Sequence, residues 1–242
     1  MVSFSLILPA YNEEKRISKT LEALNHFFKK NEYDYEVLIV NDGSEDNTST
    51  VINNYKKKSD LNVELIEYKP NKGKGYAVSC GVKKARKEII AFLDADLPFE
   101  LSLIDSSIKL IKNDDIEIVV GDRNNSGSSV NVDYSVLRKL SGRLFSFLIN
   151  IILMKGFSDT QCGYKAFKNK VAKDIFSRQT IRGFGFDLEV LYIANKRKYK
   201  INKIPVVFSH SGGSKIRLIH DSWEMFMDII RIKKNDDQEI YD

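Results

Sequence analysis

Short apolar runs alternate with stretches of helical periodicity through the first half of the chain. This alternation constrains the fold more than any other feature. Phe4 to Leu8, Tyr35 to Val40, Asn62 to Tyr68, Glu88 to Leu93 and Ile116 to Val120 read as strands. Between them, Glu13 to Lys30, Glu45 to Lys58, Gly75 to Lys87 and Leu101 to Lys112 read as helices; the first carries Ile17, Leu21, Leu24 and Phe28 at helical spacing. Strands that alternate with helices predict a mostly parallel sheet covered on both faces. Ligands of such sheets bind beyond the carboxyl ends of the strands. Those ends here are Pro9 to Glu13, Asn41 to Ser44, Asp94 to Asp96 and Gly121 to Arg123, polar segments that the fold would gather at one edge.

The second half is less regular. Residues 134–157 predict a long helix with a dense apolar face, and 159–167 a loop or short strand. Phe186 to Arg197 predicts a helix, Asn202 to Phe208 a strand whose Pro205 suits a sheet edge, and Ile216 to Lys234 a last amphipathic helix. A chain of 242 residues suits one α/β domain, set at residues 1–234, with an acidic, frayed tail over 235–242. Two isolated cysteines, Cys80 and Cys162, define neither a zinc site nor a disulfide framework and point to a reducing compartment. The start of the chain has no basic leader, and no apolar run is long enough to span a bilayer. A net charge of +5 suits an anionic substrate or an anionic membrane surface and gives no reason to expect nucleic acid.

Asp94-Ala95-Asp96 is the motif richest in chemistry. Two carboxylates one residue apart repel unless a cation lies between them. Mg2+ and Mn2+ take such oxygen ligands and bridge them to substrate phosphates. A solvated loop is the plain alternative. Asn41-Asp42-Gly43-Ser44 reads either as a turn with Ser44 or Asp46 capping the next helix, or as a carboxylate placed for a ribose hydroxyl or a base N–H. Glu13 and Glu14 are open in the same way, since acidic residues suit a first helical turn. Asn71-Lys72-Gly73-Lys74-Gly75 is neither a P-loop nor a dinucleotide fingerprint; its glycines allow close backbone approach and its lysines suit a nucleotide or phosphate, with a plain turn as the alternative.

Pro9-Ala10-Tyr11-Asn12-Glu13-Glu14, Val40-Asn41-Asp42-Gly43-Ser44, Asn71 to Gly75 and Asp94-Ala95-Asp96 resemble, in order and spacing, the family-two glycosyltransferases. Downstream, Asp159 to Phe167, Gly185 to Leu191 and Gly213 to Ile216 look like the dolichyl-phosphate β-glucosyltransferase branch; the dolichyl-phosphate mannose synthases share the first half. The resemblance implies a GT-A fold, with a nucleotide-sugar half at 1–123 and acceptor-side, membrane-facing helices over 124–234. It implies that Pro9, Tyr11, Glu13, Val40 and Asp42 line the nucleoside pocket, with Lys72 beside it. Asp94, Ala95 and Asp96 would follow the ribose and diphosphate, with Asp94 and Asp96 the Mg2+ or Mn2+ ligands. Arg123 and Lys215 would meet the phosphates. One departure concerns the metal: mannose synthases commonly carry Gln two residues after the second Asp, where this chain has Pro98.

The implied reaction moves a hexose, glucose from UDP-glucose, to a polyprenyl phosphate with inversion, at the cytoplasmic face of a membrane. A phosphomonoester is largely dianionic at neutral pH and is already a nucleophile. Asp159 and Asp187 are placed for positioning the acceptor, or as base toward a hydroxyl; Asp187 also fits a helix N-cap, and His210 a phosphate contact or a structural role. Arg138, Lys139, Arg143 and Lys155 flank the 144–153 apolar stretch, which suits a bilayer interface, a core or a homodimer seam. GDP-mannose as donor, or a hydroxyl acceptor, is the alternative transferase reading. A sugar-nucleotide pyrophosphorylase would need a glycine- and arginine-rich signature that Pro9 to Arg16 lacks, and intact Asp94 and Asp96 argue against a regulator without turnover.

Overall fold

The computed structural model describes residues 2–113, 115–131, 149–209 and 218–242, without the side chains of Asn131 and 218–222. Its strands are β1 (Val2–Ala10), β2 (Tyr33–Asp42), β3 (Val63–Tyr68), β4 (Ile89–Leu93), β5 (Ile118–Asp122), β6 (Ser129–Asn131), β7 (Tyr164–Lys168), β8 (Ile201–Pro205) and β9 (Val207–Ser209). Its helices are α1 (Ile17–Lys30), α2 (Thr48–Lys56), α3 (Lys74–Lys84), α4 (Ser102–Asn113), α5 (Asn169–Arg178), α6 (Phe186–Lys196) and α7 (Leu218–Asp237). Seven strands form one sheet in the order β3-β2-β1-β4-β7-β5-β8, and β6 pairs with β9 beside it.

Every pair among β3, β2, β1 and β4 is parallel. β7 runs antiparallel between β4 and β5, and β8 returns parallel to β5. Central strands covered on both faces are apolar on both, which is why the β1, β2 and β4 runs show little alternation. Ile7, Leu38, Val40 and Phe92 face one core, with α3, α5, α6 and Ile229 and Ile232 of α7. Leu6, Leu8, Val37, Ile39 and Ala91 face the other, with α1 and α4. The order reverses between β1 and β4, which start the outward progressions to either side, and the site lies at that crevice.

The expected α/β sheet is found, and Pro205 closes the edge strand β8 as its missing N–H requires. Three expectations need correction. The long helix set at 134–157 falls largely on residues outside the description; its described end, 149–152, is helical, but the chain turns at Leu153. Asn150 holds that reversal, accepting from Gly156 N–H at 2.8 Å and donating to the Phe157 carbonyl at 2.8 Å, with Gly156 at φ +87°. Helix α5 was not anticipated, although Val171, Ala172, Ile175 and Phe176 form its buried stripe. The tail is not frayed: α7 continues to Asp237, and Tyr241 is wholly buried, donating to Glu189 at 2.7 Å.

Candidate active site

The ends of β1 and β2 are tied to each other by side chains that the turn sequences supply. Asn12, at φ +53°, donates its N–H to Ser44 Oγ at 2.9 Å and accepts from Glu45 N–H at 2.9 Å. Glu13 N–H donates to Thr48 Oγ1 at 2.8 Å. Asn47, not Ser44 or Asp46, occupies the N-cap of α2, and it makes no side-chain cap bond. Asp46 accepts from Thr48 N–H at 3.0 Å, while Ser44 serves the β1 loop. The two glutamates precede α1 instead of opening it, and Glu13 forms a two-pronged pair with Arg16, at 2.7 Å to each of two nitrogens.

Asp42 is buried at the end of β2 and gathers the 71–73 loop. It accepts from Lys72 N–H at 2.7 Å, Gly73 N–H at 2.9 Å and Asn71 Nδ2 at 3.0 Å. Gly73 sits at φ +98° as the N-cap of α3, and a Cβ there would fall 2.5 Å from the Arg182 carbonyl oxygen. Here the backbone requires glycine. The Lys72 ammonium lies over the Tyr76 ring at 4.7 Å and the Tyr68 ring at 5.4 Å, so its reach is set by aromatic faces.

Asp94 and Asp96 leave β4 through a tight turn. Leu97 N–H donates to the Asp94 carbonyl at 3.0 Å with Leu97 at φ +46°, and Thr20 holds the Ala95 carbonyl at 2.5 Å. Lys74 Nζ lies 2.6 Å from Asp94 and 3.9 Å from Asp187. Burial alone would push this ammonium down, but the two carboxylates outweigh it and raise its pKa to about 12. Asp96 moves the other way: burial and the neighbouring Asp94 charge raise its pKa, with Arg16 at 3.5 Å opposing them. Gly163, just before β7, has no room for a side chain, since a Cβ would fall 2.2 Å from Asp94 Oδ2.

Two further ion pairs complete this edge. Arg123 grips Asp159 with Nε at 2.7 Å and a terminal nitrogen at 2.8 Å, and its N–H donates to the same carboxylate at 3.1 Å. Burial would raise the Asp159 pKa, yet Arg123 holds it below the usual carboxylate range. Asp187, in the first turn of α6, makes no cap bond; Gly185 is the N-cap. Its carboxylate instead meets the wholly buried Lys165 ammonium at 2.5 Å, and Lys165 also donates to the Cys162 carbonyl at 3.0 Å.

The fold thus brings Asp42 at a strand end, Glu13, Lys72, Asp94, Ala95, Asp96, Arg123 and Asp159 in loops, and Asp187 in a first helical turn to one sheet edge. Pro9 and Tyr11 stand at the end of β1, with Pro9 in register with Val40. The Val40 side chain is wholly buried in the core, which leaves only its backbone to face a ligand. Lys215, His210, Arg138, Lys139 and Arg143 lie outside the described residues. Lys165 and Gly163 were missed, and Lys74 was read only as facing a nucleotide or phosphate, not as the partner of Asp94. Lys74 stood inside the motif already noted, but nothing local shows that β7 and α6 bring Lys165 and Asp187 against it.

A divalent cation fits the charge of this edge. Burial and the nearby Asp94 charge disfavour ionisation of Asp96, the condition that a shared cation relieves. Among the described residues no group of three or more histidine, cysteine, aspartate or glutamate side chains could hold a metal, and Pro98 supplies no ligand. Two carboxylates are enough for an ion that keeps waters and takes substrate phosphates.

Comparison with known proteins agrees with this geometry. Residues 5–176 match the family described as Glycosyl transferase family 2. Dolichyl-phosphate beta-glucosyltransferase ALG5D of Trichomonas vaginalis is 37% identical over 240 residues, covering 96% of this chain and 73% of that protein. Glucosyl-3-phosphoglycerate synthase of Mycobacterium tuberculosis, solved with UDP, superposes with a TM-score of 0.70 at 16% identity, covering 96% of this chain and 80% of that one. The same enzyme with Mn2+, UDP and glucosyl-3-phosphoglycerate gives a TM-score of 0.67 at 15% identity, covering 96% and 80%. The structural likeness carries the GT-A fold, and the sequence match over more than half of the chain carries the kinship: this chain belongs to glycosyl transferase family 2.

Proposed function

We propose that this glycosyltransferase moves glucose from UDP-glucose to dolichyl phosphate or a similar polyprenyl phosphate, with inversion, while resting on a membrane surface. The acceptor class comes from the relatives' names; one structural observation supports it. Asp159 and Asp187, the two carboxylates best placed to act as base, are both clamped, one by Arg123 and one by Lys165. A hydroxyl acceptor needs a group that takes its proton. A phosphate dianion does not; it needs alignment and relief from repulsion by the donor diphosphate. Lys74, at 2.6 Å from Asp94, and Arg123, on the far side of the edge, are cations fixed where two phosphorylated substrates would meet.

Pro9, Tyr11 and Glu13, with the loop that Asp42 organises, would hold the nucleoside. Asp94 and Asp96 would hold Mg2+ or Mn2+, which when bound offsets charge on the leaving diphosphate. Lys215 would add a cation on the acceptor side. Among the described residues no helix is long and apolar enough to cross a membrane. In this reading the described domain meets the lipid substrate at the cytoplasmic face of the membrane.

The test is a panel of nucleotide sugars assayed for transfer to a polyprenyl phosphate and to the matching polyprenol, with EDTA and with Mg2+ or Mn2+ restored. The expected result is transfer from UDP-glucose to the phosphate alone, lost in EDTA and slowed in Asp96→Asn by at least about a hundredfold, the scale of losing a charge-stabilising group. The rate should fall with acid near a pH of about 6, where the acceptor dianion takes up a proton and becomes the monoanion. Transfer to the alcohol, or preference for GDP-mannose, would replace this reading.

A further inference from the structure

Helix α7 carries two apolar faces, and only one of them is packed. Ile229 and Ile232 lie in the core, whereas Trp223, Phe226, Met227 and Ile230 are 65%, 37%, 42% and 48% exposed. Those four fall at i, i+3, i+4 and i+7, a continuous stripe on the solvent side. The Trp223 and Phe226 rings lie 6.1 Å apart, so the stripe begins as an aromatic pair. Lys234, exposed, follows one turn beyond Ile230 on the same face, and exposed Arg231 and Lys233 flank it on either side. Glu224 and Asp237 are the acidic members of the rim, fewer than the basic ones. Soluble surfaces rarely present such a contiguous apolar patch without a partner. Aromatic and aliphatic side chains followed by basic ones along one face suit a helix lying in a lipid headgroup layer.

The inner face of the same helix touches the acceptor side of the site. Asp228 rests on Gly185, where a Cβ would fall 2.1 Å from its carboxylate, and Gly185 is the N-cap of the helix that carries Asp187. Gln161, two residues from Asp159, donates to Met225 Sδ at 3.3 Å. Exposed Phe184 and Arg182 extend the apolar and basic surface from the loop just before that N-cap. A surface that received the stripe would therefore be held at a fixed offset from Asp159 and Asp187.

We infer that the outer face of α7, Trp223, Phe226, Met227 and Ile230 with Arg231, Lys233 and Lys234 around it, is the face by which this protein lies on an anionic bilayer. Its link to the acceptor rests on the polyprenyl-phosphate reading above; the docking itself does not. A second copy of the chain is the rival occupant, and it would bring two basic rims together.

Trp223 is the single tryptophan of the chain and reports on its own environment. Purified protein is titrated with vesicles of phosphatidylcholine with and without phosphatidylserine, without donor or acceptor. The expected result is a blue shift of tryptophan emission and about a several-fold loss of acrylamide quenching, strongest with phosphatidylserine and weakened by salt. Met227→Ser with Ile230→Ser keeps the reporter and should weaken vesicle partitioning by about tenfold or more, from the apolar area removed. That double variant should retain its rate on a short, water-soluble polyprenyl phosphate and lose it on a long-chain acceptor in vesicles. Emission unchanged by saturating anionic vesicles would overturn the inference, as would equal partitioning of the double variant. A dimer in sedimentation that buries Trp223 without lipid would assign the face to a second copy and overturn it too. Absence of transfer to any polyprenyl phosphate in detergent would instead remove the acceptor reading and leave the vesicle result standing.

Discussion

A buried carboxylate surrounded by donors acts as a clamp, and Asp42 is one. It fixes Lys72 N–H, Gly73 N–H and Asn71 before any ligand arrives. Asp42→Ala should lower stability by about 1–3 kcal/mol through the donors it abandons, and should weaken UDP binding through a loosened loop. Urea melts and calorimetry on the same variant separate the two effects: weaker UDP binding at unchanged stability would mean that Asp42 meets the nucleoside directly. Lys165 poses a sharper case, because its ammonium and Asp187 are both out of water. Lys165→Met should destabilise by about 3–5 kcal/mol, since Lys74 at 3.9 Å is a poor substitute partner. Adding Asp187→Asn should restore much of that loss, whereas a double variant as unstable as the single one would mean that packing, not charge, was removed. At this scale the sequence shows residue types but not partners. Asp42, Asp94, Asp96, Arg123, Asp159 and Asp187 stood out because carboxylates and arginine at strand ends are chemically conspicuous. That two of them are neutralised by Lys74 and Lys165 depends on strands and helices distant in the chain.

Between elements, the contact of α7 with α6 contains a titratable group that works against the fold. Asp228 lies almost out of water, and burial raises its pKa to about 6 despite Arg231 at 2.9 Å. An unfolded aspartate loses its proton near a pH of about 3.9. Between those values the folded chain holds a proton that the unfolded chain has released, so stability falls as pH rises from about 4 to about 6 and stays reduced above. Asp228→Asn should therefore stabilise the protein at neutral pH by about 1–2 kcal/mol, allowing for Arg231 and residual solvent, and should flatten the slope over that window. Denaturation curves at several pH values would show it; equal slopes for both proteins would assign the pH dependence elsewhere. Continuous apolar runs made β1 through β5 legible in advance, and helical periodicity did the same for α1 through α4. Helix α5 was hidden because Val171, Ala172, Ile175 and Phe176 follow the β7 run directly, without a breaker between them.

At the scale of the molecule, the last residues finish the fold. Tyr241 fills the core and donates to Glu189, which also accepts from Thr180 and Ile181 N–H at 3.0 and 2.8 Å. Lys196 holds Asp236 at 2.8 Å and Asp242 at 2.6 Å. Removing residues 238–242 should lower stability by about 2–4 kcal/mol, the scale of emptying a large buried site, and shift the thermal midpoint down measurably. A truncated chain that melts like the whole one would return the tail to the status the acidic sequence suggested. The composition there is polar, and only the packed structure shows that one aromatic ring outweighs it.

The strand order has a further consequence, for how such a chain can be recombined. Residues 1–123 and 124–234 were separable by chemistry, but β7 of the later half lies between β4 and β5 of the earlier one. An exchange of acceptor halves between relatives at residue 123 would pair β4 of one parent with β7 of another, and would set a foreign residue where Gly163 now leaves space for Asp94. In this architecture the later half does not travel as a cassette, because the strand that follows the 159–163 loop also walls Asp94 at the end of β4.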